Sequence, residues 1–255
     1  MNRTLRLRAA LIFGLTAVAG TAFAEPEAGA IWVEPATGMK FTWVPSGCFD
    51  MGDASENPDE TPVHNVCVKG FYLGVQEVTQ AQYEKVVGKN PSHFAGKNLP
   101  VDSVSWNHAR DMAQTLTTRS GVQFRLPSEA EWEYACRAGG YHTFYCGEGK
   151  VTSFAWFSKN SDDQSAEVGG KAPNHWGLFD MSGNVWEWTM DCWHENYKDA
   201  PNDGSPWVEG GDCKNRVARG GSFGSASSSV RASTRNWYLS SGEFIDTGFR
   251  LLRVF

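Results

Sequence analysis

Several features are missing from this chain, and each absence excludes something. No C-x-x-C pair occurs among its six cysteines, which argues against a redox-active dithiol and against a zinc ribbon. Its 23 lysines and arginines are scattered and outnumbered by 29 acidic residues, for a net charge of -6. Nucleic acid demands a basic stripe, so it is not an expected partner. No apolar run beyond residue 24 approaches the ~20 residues of a membrane span. No linker, charge block or internal repeat divides the sequence, so 25–255 reads as a single domain. Helical periodicity is scarce as well. Glycine (27) and tryptophan (11) are plentiful instead, which fits a compact domain with much irregular backbone. Buried loops must satisfy their peptide groups one by one, so polar side chains and bound ions are expected to do structural work. The expected class is α+β with low regular content, a few short helices and strands.

Residues 1–24 read as an export signal. Arg3, Arg6 and Arg8 form a positive start, Ala9 to Gly20 is almost wholly apolar, and Ala22-Phe23-Ala24 fits the small-x-small cleavage pattern. The mature chain then begins at Glu25, without membrane insertion after cleavage, in the periplasm or outside the cell. In that compartment cysteines suggest disulfides more than metal ligands. Many pairings are open; proximity along the chain favours Cys48 with Cys67, Cys136 with Cys146, and Cys192 with Cys213.

Three helices announce themselves. Thr79 and Gln82 make a capping box for a helix ending at Gly88. Ala109, Met112, Ala113 and Leu116 recur at i, i+3, i+4, i+7 on a helix from about Ser105 to Ser120, stopped by Gly121. Ser128 and Glu131 cap a third, carrying Trp132, Tyr134 and Ala135. Strand-like runs occur at Phe41–Val44, Val63–Val68, Phe71–Val75 and Gly248–Val254. A Ser-His-Asp set could be drawn from Ser225, His175 and Asp180. Trp106, Trp132, Trp186 and Trp188 read as core, and Trp207 as able to stack on a ligand.

Seven motifs then run in order along the chain. They are Gly47-Cys48-Phe49-Asp50-Met51-Gly52, Glu60-Thr61-Pro62-Val63-His64, Glu77-Val78-Thr79, and Pro100-Val101 through Ser105-Trp106. Arg125-Leu126-Pro127-Ser128-Glu129-Ala130-Glu131-Trp132-Glu133 and Gly177-Leu178-Phe179-Asp180-Met181-Ser182-Gly183-Asn184-Val185-Trp186-Glu187-Trp188 follow. The last is the pair Arg219-Gly220-Gly221-Ser222 and Gly248-Phe249-Arg250. Together they resemble the formylglycine-generating-enzyme, or sulfatase-modifying-factor, superfamily. The resemblance implies a fold related to C-type lectins and poor in regular structure.

In that family two cysteines just after the Gly-Gly-Ser turn hold copper(I), and a substrate cysteine is oxidised to formylglycine with dioxygen. Here Ser225 stands where the first thiolate is expected, and the second falls among Ser227, Ser228 and Ser229. Copper(I) is soft and a neutral hydroxyl is hard, so copper is not an expected cofactor. Ser222 and Trp186 match a family active-site serine and tryptophan, which makes Ser222, Ser225 and Trp186 the candidate catalytic set. Arg231 and Arg235 are candidates for binding an anionic or peptidic ligand; alternatively they and Arg250 are buried partners of carboxylates. The family's structural calcium maps onto Asn184, Glu187 and a backbone carbonyl such as that of Val185. The alternative puts Asn184 in a left-handed turn and Glu187 on an arginine. The implied function is a non-copper accessory or binding module acting on an exported partner protein or peptidic ligand. The rivals are a periplasmic oxidoreductase maturing an exported substrate, of the siderophore-chromophore type, and a formylglycine-generating oxidase acting on sulfatases.

Overall fold

The computed structural model describes residues 25–141 and 143–255, and the export signal expected over 1–24 lies outside the described residues. In chain order the elements are β1 (Ile31–Val33), β2 (Lys40–Val44), β3 (Gly47–Met51), β4 (His64–Val68), β5 (Phe71–Gly74), α1 (Gln80–Val87) and α2 (Trp106–Ser120). They continue as β6 (Phe124–Arg125), α3 (Glu129–Cys136), β7 (Trp186–Trp193), β8 (Asp212–Arg219), β9 (Arg235–Leu239), β10 (Thr247–Gly248) and β11 (Leu252–Arg253). Long stretches between them carry no regular structure. The α+β class with low regular content is what the structure has.

Side-chain caps start all three helices. Thr79 and Gln82 exchange bonds at the head of α1, and Ser128 and Glu131 do the same for α3. Ser105 caps α2 alone, by accepting from the His108 N–H. Each cap satisfies a donor with no partner inside the helix and stabilises by ~1 kcal/mol. Gly88 and Gly121 end α1 and α2 in the left-handed conformation, φ 86° and 70°, which glycine adopts without Cβ strain.

Among the described residues three sheets form, ordered β1-β2-β5-β11-β6, β10-β7-β8-β9 and β3-β4. The run expected as one strand over Gly248–Val254 is instead divided between two of them. Arg250 turns inward between the pieces to reach Glu187, so the chain leaves one sheet and joins the other. Parallel pairing of β10 with β7 sets Thr247 opposite Trp186 and Gly248 opposite Glu187. The Gly-Phe-Arg motif thereby lies alongside the Trp-Glu-Trp motif. Trp43, Trp132 and Trp188 are fully buried, and the inward face of α2 is Ala109, Met112, Ala113 and Leu116.

Buried ion pairs join the irregular segments to this frame. Arg231 holds Glu60 through both carboxylate oxygens, at 2.5 and 2.8 Å. Arg219 bridges Glu129 and Glu133, and Arg235 grips Glu129 at 2.6 and 3.0 Å. Burial alone would raise the Glu129 carboxyl, but the Arg235 and Arg219 charges outweigh it and hold it below the usual range. Disulfides Cys48–Cys67, Cys136–Cys146 and Cys192–Cys213 complete the stitching, the pairing that chain proximity favoured.

Candidate functional site

The turn after β8 carries the site. Gly220 and Gly221 take φ of 95° and 78°, a region that side chains with Cβ avoid. A Cβ on Gly221 would also meet the Ser229 carbonyl and Val230. The turn thus depends on both glycines, and it delivers Ser222 to a buried position, 1% exposed.

There the Ser222 N–H donates to Ser225 Oγ at 2.9 Å, and the two hydroxyls lie 3.2 Å apart. Ser222 Oγ also donates to Asp246 Oδ2 at 3.3 Å, while Thr247 Oγ1 donates to Oδ1 at 3.2 Å. The Trp186 N–H donates to the Asp246 carbonyl at 2.8 Å. Asp246 is therefore the residue that draws Ser222, Ser225 and Trp186 together. Sequence reasoning missed it; the available signal was its place two residues before the Gly-Phe-Arg motif. Ser225 is half-buried, and Gly224, Ala226 and Ser228 are exposed, so this segment is the accessible rim. Phe223 packs edge-on against Phe94, with centroids 5.5 Å apart.

Gly220 to Gly224 also fits the letters of a nucleophile elbow, G-x-S-x-G, but its geometry differs. The turn follows β8 and leads to a three-residue 3-10 helix at Ser227–Ser229, and Ser222 bonds a carboxylate and a hydroxyl instead of an imidazole. The Ser225-His175-Asp180 set does not assemble in these bonds either. Ser225 bonds Ser222, Asp180 bonds the Gly169 N–H, and His175 stacks on Tyr141.

Arg231 and Arg235, expected to face a ligand, are buried at 1% and 6% exposure with their guanidiniums spent on Glu60 and Glu129. Uncompensated buried carboxylates are costly, so these arginines serve the fold. Arg250 does the same for Glu187, reaching it at 2.5 and 2.6 Å and also donating to the Gly74 and Phe179 carbonyls.

The two side chains of the expected calcium set, Asn184 and Glu187, are engaged with protein partners, while the Val185 N–H donates to Glu77 Oε1 at 3.4 Å. Asn184 sits in the left-handed region, φ 64°, its Oδ1 accepting from the Ala166 N–H and its Nδ2 donating to Glu77. Glu187 accepts from Arg250 and from Trp132 Nε1. Among the described residues no cluster of three or more His, Cys, Asp or Glu side chains is placed to hold a metal. Beside this set lies Asp180, 3% exposed, whose Oδ1 has no partner. Burial pushes the Asp180 carboxyl up to about 6, against the pull of the Gly169 N–H and the Arg250 charge. Burial likewise raises Glu77 well above the carboxylate range, with the Asp180 and Glu187 charges adding to it.

All six cysteines are disulfide-bonded, so the site has no thiolate to draw on. Its donors are hydroxyl and carboxylate oxygens, a hard set that does not fit copper(I).

A family model described as the sulfatase-modifying factor enzyme 1-like domain matches residues 30–255. The formylglycine-generating enzyme of Mus musculus is 30% identical over 253 residues, covering 72% of this chain and 66% of its own. The chaperone protein LppX of Paenibacillus barcinonensis is 28% identical over 241 residues, covering 74% and 82%. The structure of PvdO from Pseudomonas aeruginosa matches with a TM-score of 0.81 at 30% identity, over 90% of this chain and 100% of that one.

Proposed function

The chain belongs to the sulfatase-modifying-factor family, and from that premise we propose that it is a non-copper accessory or binding module of that family. It acts outside the cytoplasm, on an exported partner protein or peptidic ligand presented to the rim formed by Gly224 to Ser229. The observation that carries this reading is the donor set at the Gly-Gly-Ser turn. Ser222, Ser225 and Asp246 offer hydrogen bonds, while every cysteine sulfur in the chain is locked in a disulfide. Hydroxyls and a carboxylate suit the amides and hydroxyls of a polypeptide. The copper(I) chemistry of the family has no thiolate to start from.

Three disulfides are consistent with export, since such bonds persist in oxidising compartments. No helix among the described residues is long and apolar enough to cross a membrane. Calcium belongs to the proposal through Asp180. Its unpartnered buried Oδ1 is the kind of hard oxygen that calcium takes, with peptide carbonyls to complete the shell.

Incubation with a peptide containing Cys-x-Pro-x-Arg, dioxygen and copper tests the reading by mass spectrometry. The expected result is unmodified peptide; an aldehyde product would restore the copper oxidase. The rival oxidoreductase, maturing an exported substrate, needs turnover at this same turn. Ligand binding weakened by Ser222→Ala with no product formed separates the binding module from it.

A further inference from the structure

At the end of β7 remote from Trp186, roughly 23 Å along the strand at 3.3 Å per residue, the chain opens a groove of about 710 Å³. Trp193 and Trp207 line it, together with four carboxylates, those of Glu195, Asp199, Glu209 and Asp212. Nothing in the site at Ser222 makes use of it.

The groove is built rigidly. Cys192–Cys213 ties β7 to β8 where Trp193 stands opposite Asp212. The His194 ring stacks on Trp207 with centroids 3.4 Å apart and planes within 6°. Its two nitrogens each lie 3.0 Å from a carbonyl oxygen, one of Cys192 and one of Glu209. Any Cβ on Gly211 would run into that ring, so the wall requires a glycine there. Beyond the rim, Trp237 approaches Trp193 to 6.3 Å between centroids and is 44% exposed, extending the aromatic shelf.

Among the described residues, four carboxylates without a cationic partner gather in this groove. Glu60, Glu129 and Glu187 each meet a guanidinium. Among the described residues Glu195, Asp199 and Glu209 make no ion pair. Asp212 turns its oxygens to the Lys214 N–H and Asn215 Nδ2, which leaves its charge uncancelled. Against these four stand Lys198 and, when protonated, His194; the Arg235 guanidinium, 4.7 Å from the Trp193 ring centroid, is already paired with Glu129, so the groove is acidic in either state.

We propose that this groove binds a cationic segment of an exported polypeptide, seating lysine or arginine side chains among the carboxylates and against the indole faces that Arg235 and His194 leave uncovered. A cation over an indole face is attracted by the ring quadrupole, and a concave acidic surface concentrates positive ligands near it. A neutral sugar would stack on the same indoles but leave the carboxylates uncompensated. An anionic ligand would be repelled.

The test is tryptophan-fluorescence titration of the full mature chain with hexalysine, in low and physiological salt. Binding should weaken by about tenfold or more in Glu195→Gln/Glu209→Gln, and fall with salt, because close charge pairs carry it. Glu27→Gln/Glu84→Gln removes the same charge from exposed positions elsewhere and should leave affinity within about twofold. Equal weakening by both variants would mean diffuse attraction to a net-acidic protein and would overturn the proposal. So would an absence of binding, or capture of a neutral chito-oligosaccharide in preference to hexalysine.

Discussion

Replacing Arg250 by methionine tests the electrostatic frame beneath the site. Arg250 is fully buried and faces three buried carboxylates, those of Glu77, Asp180 and Glu187. Arg250→Met fills much the same space but removes the cation and the donors to the Gly74 and Phe179 carbonyls. Breaking a buried pair from one side costs ~3–5 kcal/mol, because the remaining charge stays uncompensated. At this chain length that corresponds to a fall in Tm of roughly 6–20 °C. The loss should depend on pH. Burial sets Asp180 at about 6 and Glu77 well above its ordinary value, so protons added below neutrality neutralise the orphaned cluster. Urea unfolding at pH 8 should give the full loss, and at pH 5 a smaller one. Glu187→Leu/Arg250→Met, which removes both partners, should recover part of the stability. A loss below ~1 kcal/mol, or one of equal size at both pH values, would refute the reasoning.

Wild-type stability should itself fall as pH rises from about 5.5 to 7, above the range in which Glu60 and Glu129, held below their ordinary value, act in the opposite sense. Asp180 at about 6 and Asp191, raised to about 7 by burial and Glu129, both lie above their unfolded values of 3.8. The folded state therefore binds more protons across that window, and stability present below it is lost as pH climbs; a rise in the urea midpoint would contradict this. Ser128→Ala deletes the α3 cap and the bond to the Gly204 carbonyl and should cost ~1–3 kcal/mol by chemical denaturation, more than Thr79→Ala. Calcium should raise Tm, by up to ~3 kcal/mol of linkage at saturation, and Asp180→Asn should abolish that response. Thiol titration of the denatured, unreduced chain should detect no free sulfhydryl.

Much of the fold was legible because its signals are local. Capping boxes at Thr79 and Ser128 and glycines at 88 and 121 fixed three helices by neighbouring residues alone. Strand β7 was not anticipated, because Trp186 to Trp193 is buried on nearly every residue and shows no alternation. Motif order located the turn at Ser222, but not what faces it. Asp246 lies 24 residues away in sequence, and only the parallel pairing of β10 with β7 brings it there. Arg231 and Arg235 look like ligand-binding residues in a sequence that cannot show Glu60 and Glu129 waiting 171 and 106 residues upstream. The calcium set implied by the resemblance leaves out Asp180, although that residue lies in the matching motif; its significance is an oxygen left without a donor, visible only in three dimensions.

Serine oxygens stand at the Gly-Gly-Ser turn where the family's copper ligands are cysteine sulfurs, and the proposed function rests on the loss of soft-metal chemistry there. Competition for copper(I) between the mature protein and a calibrated chelator measures this directly. The account predicts no stoichiometric uptake at the chelator's affinity, and the same result for Ser222→Ala and Ser225→Ala. One tightly held equivalent of copper, lost on substituting Ser225, would contradict it.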